Sequence, residues 1–305
     1  MSNLPFVEII WPDRPAMVNV MSTTRGGGVS AAPYGDGQGG GGLNLGTHVG
    51  DDAAAVAHNR SLVRQHLPTE PIWLTQVHGT RVLHADATAE SMPQSSPASA
   101  PESIEADACI AMRAGVVCTI MTADCMPVLL ADSQGRAVGA AHAGWRGLAA
   151  GVLQQTVNAM RRAGADQISA WLGPGIGPQA FEVGADVLAA LSAWGDGARA
   201  AFRVGIGGYF GLYACAVHTS ARGWQADALG RNRQALQRCA LRRAQAGLDG
   251  ARRRAASDAK QSAHQPSDVG LNTYVYLQPH EKSLVLDVDA CGGFTLAHMN
   301  AIEMR

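Results

Sequence analysis

Three short segments, TQVHG, TADC and HAGWRG, carry side chains of the types that bind transition metals, at His78, Cys125 and His142. Zinc accepts imidazole nitrogen and thiolate sulfur alike. Three protein ligands would leave a fourth position for water or substrate, which is typical of catalytic rather than closed structural zinc sites. These residue types therefore predict a catalytic zinc centre that could activate a water molecule.

Other interpretations of these residues stay open, because 46 and 16 residues separate the three positions and match no compact metal motif. His78 could be a core histidine bonded to backbone, Cys125 a buried small apolar residue and His142 a residue that starts a helix. One cysteine with two histidines is also the ligand set of a blue-copper site, for which Met121 or Met126 could be the axial ligand. Copper is therefore the alternative metal.

A full multicopper centre needs many imidazoles, commonly paired as His-x-His. The ten histidines of the chain contain no such pair. The sequence therefore argues against a complete laccase copper set.

The segments around these residues alternate between strand and helix patterns. We predict strands over VEIIW, MVNVMST, IWLTQVHG (ending at His78), GVVCTIM, PVLLAD, RAVGAAH and ISAWLG. Helical spacing follows the DD at 51–52, runs through 148–160 and recurs over 183–194. The pattern indicates an α/β fold with the candidate ligands at or just after strand ends, where α/β sheets commonly collect functional groups.

Residues 25–50 are rich in glycine and cannot be regular structure throughout, because each glycine adds backbone entropy that folding must remove. We interpret this stretch as a loop that wraps a ligand, with GDGQGGGG as a mobile insertion.

Composition limits the partners. Hydrophobic residues make up 47% of 305 residues, and Lys plus Arg count 24 against 25 for Asp plus Glu. A net charge of −1 provides no field that would attract nucleic acid or an anionic membrane, so a small molecule is the expected partner. The poor match of the first residues to a secretory signal, together with six cysteines without a CxxC pair, favours the cytoplasm. The oligomeric state is left open.

The order of several motifs resembles the YfiH family, also described as multicopper polyphenol oxidase-like or as purine nucleoside phosphorylases. The motifs are TTRGGGVSAAPY, LNLGTHVGDD, NR (59–60), TQVHG, ADAC, TADCMPVLLAD, AAHAGWRGLAAGV and GPGIGPQAFEVG. The resemblance implies a mixed α+β sandwich, and zinc ligation by His78, Cys125 and His142.

The resemblance also implies several activities. These are phosphorolysis of adenosine, inosine or methylthioadenosine, with adenosine deamination beside it; polyphenol oxidation is an alternative. A further alternative is a degenerate nucleoside-binding relative or a peptidoglycan precursor editing factor.

Five more residues are candidates for roles in such chemistry. Arg25 and Arg146 could hold phosphate through their forked donors, and Asp124 could be a base or orient a ligand. Asn44 and Gln76 could contact the nucleoside or equally satisfy loop backbone. We predict Asp124 and Arg146 as catalytic and Arg25, Asn44 and Gln76 as substrate-binding.

The last part of the chain departs from the resemblance. After about residue 240 the sequence is rich in Arg, Ala and Gln, and the expected FFSYRRD-like motif is absent. We predict one metalloenzyme domain over residues 1–240 and a divergent tail over residues 241–305, either disordered or translated out of frame.

Overall fold

The computed structural model describes most of the first 193 residues and short segments beyond them. The described ranges are 4–91, 104–175, 182–193, 202–204, 209–211, 271–278, 287–288 and 294–295. GPGIGP falls partly outside these ranges, and the proposed boundary at residue 240 falls wholly outside them. That division of the chain stays a prediction.

Within these ranges the elements follow one another in a mixed order. The strands are β1 (Val18–Ser22), β2 (Gly26–Ser30), β3 (Leu74–Thr75), β4 (Val82–His84), β5 (Ile104–Glu105), β6 (Ala108–Ala111), β7 (Cys118–Thr122), β8 (Met126–Asp132), β9 (Val138–Ala143), β10 (Ile168–Leu172), β11 (Glu182–Val183), β12 (Phe202–Val204), β13 (Tyr209–Gly211), β14 (Leu271–Leu277), β15 (Asp287–Val288) and β16 (Phe294–Thr295). The helices are α1 (Ala53–Arg64), α2 (Ala85–Ser91), α3 (Trp145–Ala150), α4 (Val152–Arg162) and α5 (Ala185–Ser192).

Two sheets form the centre of the molecule. One has five strands in the order β10-β8-β9-β6-β4, antiparallel except for the parallel β4–β6 pair. The other has three antiparallel strands in the order β1-β14-β7. Leu129 and Ala140 from the first sheet and Ile120 and Val275 from the second lie in one buried cluster, so the two sheets face each other.

Helices cover the outer faces of this sandwich. Val157 and Met160 of α4 pack with Val128 and Leu130 on the far side of the five-stranded sheet. On the far side of the three-stranded sheet, Val63 of α1 lies in a cluster with Tyr274. Because β8 is covered on both faces, all seven of its residues are buried, as its nearly unbroken apolar sequence predicts. The predicted mixed α/β sandwich is confirmed.

Several predicted elements need correction. VEIIW forms no strand, and only the isolated bridge from Phe6 to Thr23 lies near it. IWLTQVHG is a strand only at Leu74–Thr75, so His78 lies in a loop. The helix predicted over 148–160 is two helices, because Gly151 adopts a left-handed conformation with φ 97° and ends α3.

The glycine-rich stretch has defined structure in its described residues. RGGGVS contributes β2, and the Asp36 carboxylate accepts the backbone N–H groups of Gln38 and Gly40, which closes the turn of GDGQGGGG. A Cβ at Gly42 would lie 1.6 Å from the carbonyl oxygen of Tyr34, so only glycine fits where this loop packs on itself. Among the residues described, no helix combines the length and apolar character that crossing a membrane requires.

Candidate metal centre

Strand pairing brings Cys125 and His142 to the same end of the five-stranded sheet. β8 and β9 run antiparallel, with Pro127 opposite His142 and Met126 opposite Ala143. Cys125 immediately precedes β8, and His142 lies near the end of β9. The two residues are therefore close in space although 16 residues separate them in the sequence. The hairpin geometry therefore explains how a ligand pair without motif spacing becomes adjacent.

His78 reaches the same place from the loop after β3. Its backbone has φ 61°, a left-handed conformation that few residues other than glycine adopt. The Gln76 amide donates to the carbonyl of Met121 (2.7 Å) and accepts the N–H of Met121 (2.8 Å), which fastens this loop to the end of β7. The segment TQVHG is thereby held beside TADC.

The three side chains form one group, called here the His–Cys–His cluster (His78, Cys125 and His142). Its ligand atoms all lie within 4.8 Å of one another. Cys125 Sγ is 3.6 Å from His78 Nε2, and the two imidazole centroids are 4.7 Å apart. In the described part of the chain, no other group of three or more His, Cys, Asp or Glu side chains has such an arrangement.

The donor set suits a zinc ion, and one edge of the cluster has the length expected of a tetrahedral site. With Zn–S of ~2.3 Å and Zn–N of ~2.0 Å, the N···S edge of a tetrahedron is about 3.5 Å, close to the 3.6 Å between His78 Nε2 and Cys125 Sγ. His142 is 4% exposed, whereas Cys125 is only partly buried, so the cluster opens toward solvent on one side. Such a site leaves room for a ligand from outside the protein.

The thiol of Cys125 is protonated at neutral pH in the metal-free protein. Burial raises its pKa to about 11, the charges of Asp124 and Asp107 add to the rise, and Arg146 opposes it. A cysteine that acts as a free nucleophile needs a lowered pKa. Cys125 is therefore better suited to bind a metal ion, which displaces the thiol proton, than to act as the nucleophile of a Cys–His pair.

Glycines make room for the cluster. A Cβ at Gly144 would lie 2.6 Å from His78 Cδ2 and 3.0 Å from Cys125 Sγ, and one at Gly147 would lie 2.8 Å from the Gly79 carbonyl oxygen. The glycines of HAGWRG thus let the start of α3 pass directly over the two more exposed ligands.

Asp107 is a residue of this site that motif analysis missed. Its carboxylate is fully buried and lies 2.8 Å from His142 Nδ1. It also accepts the backbone N–H groups of Val77, His78 and Gly79 at 3.2, 2.8 and 2.7 Å. The one signal in the sequence was the acid of ADAC within a run of small apolar residues, where an unpaired carboxylate would be costly.

The environment keeps Asp107 ionised. Burial alone raises the pKa of Asp107, but the hydrogen bonds with His142 and with the N–H groups of Gly79 and Val77 outweigh it and hold the pKa below its usual value. The site therefore contains a buried negative charge beside the cluster.

Two predicted catalytic residues lie near Cys125, since the charges of Asp124 and Arg146 both affect its pKa. Both side chains are exposed, and the Arg146 guanidinium stacks 4.5 Å from the centroid of Trp145. Arg146 is thus an exposed cation close enough to affect Cys125, and its catalytic role stays a prediction.

The predicted substrate-binding residues make backbone contacts. Arg25 donates to the carbonyl oxygens of Gly35 and Pro33 in the glycine-rich stretch. Asn44 is 2% exposed. Its side-chain amide donates to the Gly46 carbonyl and to the Asp51 carboxylate, and it accepts the N–H of Gly46. For Asn44 and Gln76 these contacts are of the kind that the loop-backbone alternative describes. A contact with substrate stays a prediction for Arg25, Asn44 and Gln76.

The fold and the cluster together define a mixed α/β sandwich that carries a possible metal site at one end of its larger sheet. The family model described as "Multi-copper polyphenol oxidoreductase laccase" matches residues 19–255, and the chain belongs to this family, as the order of its motifs predicts.

Similar proteins and solved structures agree with this family assignment. The chain is 48% identical over 192 residues to "Purine nucleoside phosphorylase PA4543" of Pseudomonas aeruginosa, covering 63% of this chain and 71% of that protein. It is 46% identical over 194 residues to "Purine nucleoside phosphorylase YfiH" of Escherichia coli, covering 63% and 72%. Neisseria meningitidis protein NMB0706 has a similar structure with a TM-score of 0.66 and 33% identity, over 90% of this chain and 99% of that one. Bacillus licheniformis hypothetical protein YfiH shares the fold with a TM-score of 0.65 and 22% identity, over 86% and 93%.

Proposed function

We propose that this chain is a zinc-dependent purine nucleoside phosphorylase acting on adenosine, inosine or methylthioadenosine, with adenosine deamination as an accompanying activity. The convergence of His78, Cys125 and His142 within 4.8 Å is the observation that carries the proposal. Relatives that bear the name purine nucleoside phosphorylase support the choice of reaction.

When bound, zinc supplies Lewis-acid catalysis and lowers the pKa of a water molecule. The residues around it have separate tasks. Arg146 binds a phosphate through its two parallel N–H donors, which places a phosphate oxygen against the anomeric carbon of the ribose. Asp124, exposed beside Cys125, exchanges a proton with the departing base or with water.

Substrate contacts by Arg25, Asn44 and Gln76 remain part of the proposal. Their hydrogen bonds to loop backbone support an indirect contribution, because they fix the loops that border the site. We also place the protein in the cytoplasm, with a nucleoside and phosphate as its partners and neither nucleic acid nor membrane among them.

Polyphenol oxidation with copper is the second candidate, and the description of the family model favours it. The structure offers one Cys and two His, but Met126 packs in the main core and Met121 packs against the cluster around Tyr274. Because both methionines pack in hydrophobic clusters, we propose zinc rather than a blue-copper centre with an axial thioether.

The test is incubation of the zinc-loaded protein with adenosine or inosine, with and without phosphate, followed by separation of the bases. Phosphate-dependent release of adenine or hypoxanthine is expected, and inosine appears from adenosine if deamination accompanies it. Cys125→Ala should abolish zinc binding and turnover. Cys118→Ala changes a fully buried thiol of β7 outside the cluster and should retain both.

Other results would replace the proposal. Oxygen consumption with a phenol by the copper-loaded protein, without nucleoside turnover, would establish the oxidase. Tight nucleoside binding without products would indicate a degenerate, binding-only relative. Action on a peptidoglycan precursor alone would indicate an editing factor.

A further inference from the structure

Asp107 joins two parts of the chain that each deliver one histidine. It lies directly before β6, whose Ala108 pairs with Ala141 of β9, so its carboxylate is next to His142. The backbone bond from the His142 N–H to the Asp107 carbonyl (2.7 Å) fixes this register. The same side chain reaches the loop of His78, which comes from a different part of the fold.

The two carboxylate oxygens of Asp107 accept hydrogen bonds from different groups. Oδ1 accepts from His142 Nδ1 and from the His78 N–H, both at 2.8 Å. Oδ2 accepts the N–H groups of Val77 (3.2 Å) and Gly79 (2.7 Å), on either side of His78. The three consecutive N–H groups thus point at one carboxylate, and His78 adopts its left-handed φ of 61° at the middle of this turn.

We propose that Asp107 is the positioning residue of the metal centre, which sets both histidines at once by orienting the His142 ring and by folding the His78 turn. The inference rests on the proposed zinc site. With Nδ1 of His142 engaged by the carboxylate, Nε2 is the nitrogen left for the ion, and the ring plane is fixed by packing and hydrogen bonding together.

Charge supports the same assignment. Zinc bound to one thiolate and two neutral imidazoles carries one net positive charge, and a buried carboxylate beside it makes the group neutral. Asp107 is fully buried, so its charge is little screened by solvent. Without a metal ion, the N–H groups of the turn and His142 already compensate this charge through hydrogen bonds.

The test compares Asp107→Asn with Asp132→Asn. Asp132 is the matched control, because it is also fully buried and accepts several N–H groups of a turn, but at the far end of β8. In Asp107→Asn the amide replaces one acceptor oxygen by a donor, which faces either Gly79 and Val77 or His142 and His78. Zinc affinity, measured by competition with a chromophoric chelator, should fall by 10- to 100-fold in Asp107→Asn, and by less than about twofold in Asp132→Asn.

Two spectroscopic measurements separate positioning from general stability. The absorption spectrum of the cobalt-substituted protein should change in Asp107→Asn and not in Asp132→Asn, because it reports the coordination geometry. In the folded, zinc-loaded wild type, nitrogen NMR of labelled histidine should show His142 bound through Nε2 with a proton on Nδ1. This last measurement does not depend on whether the variant folds.

The outcomes are distinct. Unchanged zinc affinity in Asp107→Asn, an equal loss in both variants, or ligation of zinc through Nδ1 of His142 would each overturn the positioning role. Failure of the wild type to bind zinc would instead overturn the proposed zinc site, and the inference with it.

Discussion

Gly144 lies against the imidazole of His78 so closely that a Cβ at this position would be 2.6 Å from His78 Cδ2. The same Cβ would be 3.0 Å from Cys125 Sγ. The backbone of Gly144 (φ −63°, ψ 152°) is one that any residue adopts. Contact with the two ligands, rather than backbone conformation, therefore requires glycine here.

Gly144→Ala is expected to weaken zinc binding by at least about tenfold, since moving the ligands apart by a few tenths of an ångström costs about 1.4 kcal/mol or more. Thermal unfolding of the metal-free protein should change little. The measurement is zinc affinity by chelator competition.

Gly26→Ala is the matched control for this prediction, because a Cβ there would meet Asp36 Cβ (3.6 Å), Thr24 Oγ1 (3.9 Å) and Pro5 Cγ (4.0 Å), all at ordinary contact distances. It should bind zinc as the wild type does. Equal zinc affinity in the two variants would show that the cluster adapts to the added methyl group.

Asp132 makes stability depend on acid pH. Burial alone raises its pKa, but hydrogen bonds from the Arg136 guanidinium and from the N–H groups of Asp166 and Arg136 outweigh it and lower the pKa to about 2. The unfolded pKa is about 3.9, so the contribution of about 2 kcal/mol is present above pH 4 and is lost as the pH falls through 2.

Asp132→Asn should therefore lower the free energy of unfolding by about 2 kcal/mol at pH 7, and this difference should shrink steadily between pH 4 and pH 2. Urea unfolding at pH 7, 5, 4 and 3 checks it. A difference that stays constant over this range would mean that packing, not charge, accounts for the effect.

Local patterns predict much of this fold. The helical spacing after the DD pair gives α1, and Asp52 caps it by accepting the N–H of Ala55. The apolar run PVLLAD gives β8. These elements follow from neighbours in the sequence, whose periodicity is visible without a structure.

Long-range pairing is what the sequence could not show. The place of β14 between β1 and β7 depends on contacts such as that of Ser22 with Thr273, 251 positions apart. The role of Asp107 likewise depends on β6 lying beside β9. The three candidate ligands could be predicted from their residue types. The contacts of the Asp107 carboxylate with two of them could be seen only once the pairing of the strands was known.

Asn59 holds the glycine-rich stretch together from α1. Its amide nitrogen donates to Ser30 Oγ, the Gly42 carbonyl and the Asn44 carbonyl, and its oxygen accepts the N–H of Val29. Asn59→Asp places a charged acceptor against three acceptors in a fully buried position. It should lower the free energy of unfolding by about 3 kcal/mol.

Urea unfolding measures this loss, and limited proteolysis should show earlier cleavage of the loop over 35–42. Ser61→Ala, at a partly exposed position on the same helix, should change the free energy of unfolding by less than about 0.5 kcal/mol. Wild-type stability of Asn59→Asp would show that the loop is held by other contacts.

Substitution of Arg146 tests whether this residue binds phosphate in the proposed reaction. A charged hydrogen bond to phosphate is worth about 1.5–3 kcal/mol, so Arg146→Ala should raise the KM for phosphate by about tenfold or more. Arg146→Lys keeps the charge but loses the forked pair of donors, so its KM for phosphate should lie between those of the wild type and Arg146→Ala. Initial rates at varied phosphate, with saturating nucleoside, measure the effect.

The control for Arg146 is Arg113→Ala, since Arg113 is also exposed but pairs with Glu90 beside α2. It should leave the KM for phosphate unchanged, because a surface ion pair of this kind contributes little even to stability. The zinc content of both variants should equal that of the wild type, which separates phosphate binding from the metal site. A wild-type phosphate KM in Arg146→Ala would remove this residue from the reaction while leaving the His–Cys–His cluster in place.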